Sequence, residues 1–310
     1  MTETPSNPLA SSQATQQDDW RSRRGDMVQR GNMLINPNWL DALESEGLTD
    51  FDAVMNSALG QQLSKPGLAK YRRRDRIVLA GDRRIYLKRY RPGLLRRLAR
   101  SLRLHTGPSE AADEWAALWQ LAEAGIGVPE PVLVGPADPA RAARASCIGL
   151  AELPDARPLE RWLPATAGTL SADQRALLFG ALADFVGRIH ALRLVHRDLY
   201  LGHIFVRWNQ ASQQGQQGQP PRFWLIDLAR VFRPVRWRQT RWIVKDLAQL
   251  RYSLGTIIQP DEWVAMLKRY AAATGRPEAD VLRMANRIAR KSAAIARHAA
   301  RRMRRLNPSA

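Results

Sequence analysis

The hydrophobic period changes once along the chain, and this change limits the possible fold more than any other feature. Residues 71–153 contain short apolar runs with strand-like alternation, starting with a hairpin over residues 77–88 whose turn contains Gly81. From residue 159 onward most apolar residues recur at spacings of three and four, as they do on helices. A sheet-rich first half and a helical second half predict an α+β fold with two lobes.

Composition and periodicity also predict where these parts begin and end. Residues 1–31 are polar and lack apolar periodicity, which predicts a disordered N-terminal arm. Residues 32–152 form the predicted small lobe, which begins with two short helices within residues 37–59. Residues 153–310 form the predicted helical lobe, which ends in a basic helix over residues 277–303.

The charge of the chain predicts an anionic partner. Its 48 Lys and Arg residues exceed the 29 Asp and Glu residues, which gives a formal net charge of +19. Nucleic acid, a nucleotide and an anionic membrane surface all fit such a charge. Most of the ten tryptophans lie on apolar helical stripes, as Trp115 and Trp119 do, which is typical of core packing. We therefore expect no nucleic-acid partner.

Three further features predict a cytoplasmic protein. The first 19 residues lack the basic and apolar regions of a secretion signal. The single cysteine, Cys147, rules out an internal disulfide and a thiolate metal cluster, as is usual in a reducing compartment. No apolar run reaches the length of about 18 residues that suggests a membrane-spanning helix.

The clearest chemistry lies in a loop and strand that begin at His196 with the sequence HRDLYLGHIFV. In the kinase pattern H-R-D-x-x-x-x-N, the aspartate accepts the proton of the acceptor hydroxyl and the asparagine holds a metal ion. Asp198 is therefore the predicted catalytic base, and His203 is a predicted metal ligand at the asparagine position. Asp227 follows the next strand, where the pattern places an aspartate that binds Mg²⁺. This order of motifs predicts phosphoryl transfer.

Residues of the first half complete a predicted nucleotide site. Lys88 ends a hairpin strand, as does the kinase lysine that pairs with the α- and β-phosphates of ATP. Its predicted ion-pair partner is Glu114 on the next helix, with Glu110 as the competing candidate. Backbone groups near Glu152 and Leu153 are predicted to read adenine. A G-x-G-x-x-G phosphate loop is missing from the sequence.

Taken together, these segments resemble one family. The runs IYLKRY, EWAALWQLAEAGIGVPEPV, HRDLYLGHIFV, LIDLARVFR and RWIVKDLAQLRYS closely resemble the lipopolysaccharide core kinases, which are bacterial heptose and Kdo kinases. The resemblance covers residues 36–253 and implies a two-lobed protein-kinase-like fold that uses ATP and Mg²⁺. It implies transfer to a heptose or Kdo hydroxyl of a lipid-anchored inner core, at the cytoplasmic side of the inner membrane. It also implies that a histidine at position 203 is characteristic of the family and that Asp246 supports the predicted catalytic loop.

Two basic segments predict where anionic partners bind. Residues 83–103 contain nine basic residues and no acidic one, with leucines at helical spacing. Residues 276–305 contain ten basic residues together with an apolar stripe. An anionic membrane, the phosphates of the core saccharide and a small acidic carrier protein are the candidate partners. Simple packing of each apolar face on the protein is the alternative interpretation.

Two other functions remain compatible with the motifs. A small-molecule phosphotransferase, for example one acting on an aminoglycoside, would use the same catalytic residues on a soluble substrate. A pseudokinase that binds a membrane or a protein without turnover would explain the missing glycine loop and His203. The presence of Lys88, Asp198 and Asp227 favours an active enzyme.

Overall fold

The chain divides into two compact units. The computed structural model describes residues 19–22, 24–63, 71–102, 107–208 and 219–306. The first unit contains residues 1–125 and 129–152, and the second contains residues 126–128 and 153–310. Residues 1–18 of the predicted arm and residues 209–218 lie outside the described residues.

An antiparallel sheet forms the centre of the first unit. Its strands are β1 (Val28–Arg30), β2 (Met33–Ile35), β3 (Gln61–Gln62), β4 (Arg72–Leu79), β5 (Arg83–Tyr90), β6 (Pro131–Gly135) and β7 (Ser146–Ala151). The seven strands pair in the order β1-β2-β6-β7-β5-β4-β3. Lys88 lies on β5, an interior strand, where it pairs with Arg74 on one side and Ile148 on the other.

The β4–β5 hairpin confirms the prediction for residues 77–88. Its turn contains Gly81 and Asp82, which have φ angles of 72° and 56°. Glycine reaches this left-handed region without a steric penalty, and aspartate tolerates it better than most residues. The tight turn fixes the register in which Asp75 faces Leu87 and Arg74 faces Lys88.

Within its described residues, the first unit also contains five α-helices. They are α1 (Leu40–Glu44), α2 (Phe51–Asn56), α3 (Leu94–Ser101), α4 (Glu110–Glu123) and α5 (Pro139–Ala142). Buried residues of α1, α2 and the sheet form one apolar cluster, which includes Leu43, Phe51 and Leu133. The side chain of Ser109 caps α4 by accepting a hydrogen bond from the Ala112 N–H at 3.1 Å. Because α4 packs against β5, β6 and β7, Glu114 lies beside the strand that carries Lys88.

The prediction of a disordered arm over residues 1–31 is wrong for its described part. Trp20 is buried and makes an edge-to-face contact with Trp119, with ring centroids 5.6 Å apart. Strand β1 pairs with β2 and so extends the sheet. A single aromatic residue buries a large apolar area without producing any periodicity, so the polar composition concealed this order.

A small sheet lies in the second unit. It consists of β8 (Arg157–Pro158), β9 (Ile204–Arg207) and β10 (Arg222–Leu225), in the antiparallel order β10-β9-β8. The carbonyl of Gly127 accepts a hydrogen bond from the Leu225 N–H at 2.8 Å. A Cβ atom on Gly127 would lie only 2.0 Å from the Phe223 carbonyl oxygen, so this close backbone approach requires glycine.

Helices form most of the second unit. They are α6 (Leu159–Thr166), α7 (Ala172–Ala191), α8 (Gln239–Leu254), α9 (Pro260–Thr274) and α10 (Glu278–Leu306). Ser171 caps α7, and with Gln174 it forms a reciprocal capping box. Helix α7 packs on α9, and α8 packs on α10. Within the described residues, no helix has the length and apolarity needed to cross a bilayer.

The two halves of the basic helix α10 differ in their surroundings. Val281, Met284 and Ile288 are buried, so the N-terminal half packs on the second unit. Nearly all later residues of the helix are exposed or half-buried. Seven basic residues and no acidic one lie on this C-terminal half, residues 289–306.

Candidate active site

In the first unit, Lys88 forms an ion pair with Glu114. The Lys88 ammonium donates to Glu114 Oε1 at 2.5 Å, and the Tyr90 hydroxyl donates to Glu114 Oε2 at 3.3 Å. Lys88 is 8% exposed and Glu114 is fully buried. A buried charge is tolerated only with such partners, because its desolvation is costly. The structure therefore selects Glu114 over Glu110, whose carboxylate lies 3.9 Å from Arg100.

Glu152 ends the first unit and makes several polar contacts there. Arg76 donates to both carboxylate oxygens at 2.8 and 2.9 Å, and the Tyr86 hydroxyl donates at 2.8 Å. The hydrogen bond from Arg76 is the main reason that the pKa of the Glu152 carboxyl lies below its usual value. Its backbone N–H donates to the Arg84 carbonyl at 2.8 Å.

The backbone hydrogen bond of Glu152 reduces the number of groups that could contact adenine. The N–H of Glu152 already has an intramolecular acceptor, so it does not offer a donor to a base. The Glu152 carbonyl and the backbone of Leu153 remain predicted contacts. The sequence alone could not show that the Glu152 N–H is already bonded, because that bond depends on how strands β5 and β7 pair.

In the second unit, helix α8 holds the loop that contains Asp198. The buried carboxylate of Asp246 accepts the N–H groups of His196 at 2.7 Å and of Arg197 at 2.9 Å. Gln249 accepts the Leu199 N–H at 3.1 Å, one turn further along the same helix face.

One of the two residues that donate to Asp246 has an uncommon backbone conformation. Arg197 has a φ of 72°, which is uncommon for a residue with a side chain. Its carbonyl accepts a hydrogen bond from the Lys245 ammonium at 2.7 Å. The N–H and the carbonyl of this residue are thus both fixed by neighbouring side chains of α8, and Asp198 follows directly.

Two cations lie close to Asp198. The guanidinium of Arg230 donates to Asp198 Oδ2. Burial lowers the pKa of the Lys245 ammonium, whereas the charge of Asp198 acts in the opposite direction. Both cations therefore lie beside the predicted base.

His203 links Asp198 to Asp227. Its Nδ1 lies 2.7 Å from the Asp198 carbonyl oxygen and its Nε2 lies 3.8 Å from Asp227 Oδ2. A carbonyl only accepts, so Nδ1 must carry the proton of this bond. In the neutral ring, Nε2 then carries the lone pair and faces Asp227. Asp227 lies two residues after the end of β10, and its φ of 59° falls in the left-handed region.

His196 ties the loop to the segment between β10 and Asp227. Its Nε2 lies 3.0 Å from the Ile226 carbonyl oxygen, so Nε2–H donates to that carbonyl. The other ring nitrogen is buried and has no hydrogen-bond partner among the described residues. Burial lowers the pKa of this imidazole, because the charged ring would lack solvent.

The residues present fit a divalent cation that also binds phosphate. Mg²⁺ commonly uses one or two protein carboxylates and takes its other ligands from water and substrate phosphates. Asp227 offers a carboxylate, and Nε2 of His203 is a softer second donor that faces it. Within the described residues no group of three or more His, Cys, Asp or Glu side chains surrounds a point, so a cation here would rely on the nucleotide for further ligands.

Sequence reasoning missed Arg230 and Lys245. Both lie within the segments that carry the family resemblance, one three residues after Asp227 and the other directly before Asp246. In a chain with 48 Lys and Arg residues, a single basic position gives no local signal. Only the folded loop shows that both reach Asp198 or the residue before it.

Comparison with known proteins identifies the family of the chain that carries this site. The sequence profile described as the lipopolysaccharide kinase (Kdo/WaaP) family matches residues 57–270. The chain belongs to this family. A solved structure titled WaaP in complex with acyl carrier protein is 25% identical, with a TM-score of 0.62, over 85% of this chain and 98% of that chain. No curated protein matches the sequence at a significant level.

The family assignment confirms several predictions. The chain is a lipopolysaccharide core kinase, a phosphotransferase that acts on a sugar hydroxyl. The two-lobed, protein-kinase-like α+β fold class is confirmed as well. The roles of the individual site residues stay predictions, which the geometry described above now makes specific.

Proposed function

We propose that this protein transfers the γ-phosphate of ATP to a hydroxyl of an inner-core heptose of lipopolysaccharide. The observation that carries the proposal is the arrangement in the second unit, where His203 bonds the backbone of Asp198 and faces the carboxylate of Asp227. One imidazole therefore lies between the residue proposed as the proton acceptor and a carboxylate that could bind Mg²⁺. Phosphoryl transfer needs both groups.

Each site residue has a separate task in the proposed reaction. The Asp198 carboxylate orients the sugar hydroxyl and accepts its proton as the hydroxyl oxygen bonds to the γ-phosphorus. The bond from that phosphorus to the bridging oxygen breaks, and ADP leaves with the electron pair. Arg230 donates to Asp198 Oδ2 and so orients this carboxylate before the acceptor arrives. Asp227 and His203 would hold Mg²⁺, which neutralises charge on the phosphates when it is bound.

Lys88 supplies a positive charge to the phosphates of ATP in this proposal. Its ion pair with Glu114 holds the ammonium in one orientation on a buried strand. An oriented ammonium costs less ordering on nucleotide binding than a free lysine side chain would. The carbonyl of Glu152 and the backbone of Leu153 are the proposed adenine contacts.

Product analysis tests the proposed substrate. The purified protein is incubated with ATP, Mg²⁺ and delipidated core oligosaccharide, and tandem mass spectrometry locates the added phosphate. We expect phosphate on a heptose. Phosphate on Kdo would replace the heptose assignment, transfer to an aminoglycoside alone would favour the small-molecule enzyme, and nucleotide binding without any transfer would favour the pseudokinase.

We also propose that a small acidic carrier protein binds this kinase. The structural neighbour is titled as a complex with acyl carrier protein, and the C-terminal half of α10 has seven basic residues without an acidic one. Opposite charges of this kind accelerate and strengthen association in a salt-dependent way. Binding of purified acyl carrier protein should weaken with added NaCl and with Arg297→Ser plus Arg301→Ser. Arg283→Ser, on the packed half of α10, is the matched control and should leave binding unchanged.

A further inference from the structure

Helix α3 presents a face of exposed leucines. Leu94, Leu95, Leu98 and Leu102, just beyond its end, are 62%, 84%, 52% and 82% exposed. Single exposed apolar residues are ordinary on protein surfaces, but a contiguous group marks an interaction site. These four side chains are close neighbours on one short segment, so they form such a group.

The orientation of α3 is fixed by an arginine on its opposite side. Arg100 donates to the Gly107 carbonyl at 2.9 Å and forms an ion pair with Asp113 on α4. A helix advances about 100° per residue, which places the four leucines within an arc of about 100° and Arg100 almost opposite its centre. The leucine face is therefore directed away from α4.

The charge around this face indicates what covers it. Residues 83–103 contain no acidic residue, and Arg97 lies on the helix about 60° beyond the edge of the leucine arc. A second copy of this chain would bring two such basic surfaces together, which is unfavourable. Apolar residues bordered by arginines are typical of helices that lie in the headgroup layer of anionic membranes.

We propose that α3 is an interfacial helix that inserts its leucine face into an anionic lipid surface. The proposal rests on the proposed function for its purpose, because a lipid-anchored acceptor would then be concentrated beside the enzyme. Its geometry rests only on the leucines and on the ion pair of Arg100 with Asp113. The apolar side chains would enter the outer acyl region, while the arginines would contact lipid phosphates.

A fluorescent label on the leucine face tests insertion directly. The native cysteine, Cys147, is fully buried, so Leu95→Cys introduces one accessible thiol into the full-length protein. An environment-sensitive dye at this position should shift to the blue when vesicles of phosphatidylethanolamine and phosphatidylglycerol are added. Leu177→Cys, on the exposed surface of α7, is the matched control and should show no shift. No shift at position 95 would overturn the proposal.

Vesicle co-sedimentation gives a second readout that does not need a label. We expect Leu95→Ser combined with Leu102→Ser to weaken binding to these vesicles about tenfold or more, and Leu177→Ser to leave it unchanged. Wild-type binding should also weaken in high salt and with phosphatidylcholine alone. Equal binding of the double variant, or a wild-type dimer that becomes monomeric in the double variant, would overturn the lipid assignment.

The outcome for α3 can be separated from the outcome for the proposed function. Leu95→Ser with Leu102→Ser should phosphorylate delipidated core oligosaccharide at the wild-type rate, because that acceptor is soluble. It should phosphorylate vesicle-embedded lipopolysaccharide with a higher apparent KM. Failure of the wild type on both acceptors would contradict the proposed function, whereas an unchanged KM for the embedded acceptor would contradict the role of α3.

Discussion

His203 shows at the residue scale how one side chain can serve two neighbours. Its Nδ1–H bonds the backbone of Asp198, while Nε2 faces the carboxylate of Asp227. Asparagine, the usual kinase residue at this position, can also place one donor and one acceptor in the same region. The substitution of histidine for asparagine therefore conserves the connection between the two aspartates.

This reasoning predicts how His203 variants depend on Mg²⁺. His203→Asn should keep measurable activity, and His203→Ala should lose about tenfold to a hundredfold and need more Mg²⁺ for half-maximal rate. Steady-state rates over a Mg²⁺ titration measure both effects. His298→Ala, on exposed α10, is the control. A dead His203→Asn beside an active His203→Ala would refute the equivalence with asparagine.

His196 predicts a pH dependence of stability. Because burial lowers its pKa below 6.5 in the folded state, the unfolded state binds more protons as the pH falls below about 6.5. The free energy of unfolding should then fall with pH, by at most about 1.4 kcal/mol per pH unit from this group. Urea denaturation at pH 7.5 and 5.5 should show a larger decrease for the wild type than for His196→Gln. Equal decreases would count against this assignment.

Site residues could be predicted where they form a local sequence motif, and not where they depend on contacts between distant positions. Asp198, His203 and Asp227 could be predicted because their spacing and order are local features of the sequence. Arg230 could not, since its contact with Asp198 joins positions 32 residues apart in an arginine-rich chain. The engaged N–H of Glu152 likewise depends on pairing between distant strands.

At the scale of elements, α8 supports the loop that contains the predicted base Asp198. Its side chains Asp246, Gln249 and Ser253 accept backbone N–H groups along residues 196–201. A helix is suited to this task because residues at these spacings share one face. The loop itself has little regular structure, so its conformation depends on these acceptors.

Removing one acceptor should therefore affect both stability and rate. Asp246→Asn leaves one oxygen for two buried N–H groups, which should cost about 1–3 kcal/mol of unfolding free energy. We expect kcat to fall more than the affinity for ATP, because the loop carries the base. Urea denaturation and steady-state kinetics measure the two effects. Asp184→Asn, at an exposed ion pair with Arg269, should cost less than about 1 kcal/mol; a similar cost for both variants would contradict the role of α8.

The helices and strands were easier to predict from the sequence than their exact ends and the elements against which they pack. The hairpin of β4 and β5 and the helices α4 and α7 follow from strong periodicity and clear capping residues. Strand β1 was missed because its three residues are largely exposed and gain their order from pairing with β2. The apolar leucines of α3 were visible in the sequence, but only the structure shows that their face is exposed.

At the scale of the whole molecule, the net charge of +19 is concentrated in identifiable segments. The first unit carries residues 83–103, and the second carries the exposed half of α10. Neither segment contains an acidic residue, whereas the predicted base Asp198 lies in a loop with mixed charges. Lys88 lies within the first segment but belongs to the predicted nucleotide site, so we expect variants of the other, exposed basic residues to change recruitment without changing the chemistry.

Single-turnover phosphate transfer tests the central claim most directly. Asp198→Ala, Asp184→Ala and the wild type are each mixed with γ-labelled ATP, Mg²⁺ and delipidated core oligosaccharide, and nucleotide affinity is measured in parallel. Both variants remove an arginine-paired carboxylate from the second unit. We predict that only Asp198→Ala slows transfer to the core sugar, by about 10²–10⁴-fold, with nearly unchanged nucleotide affinity. Transfer by Asp198→Ala at a rate close to that of the wild type would contradict the account.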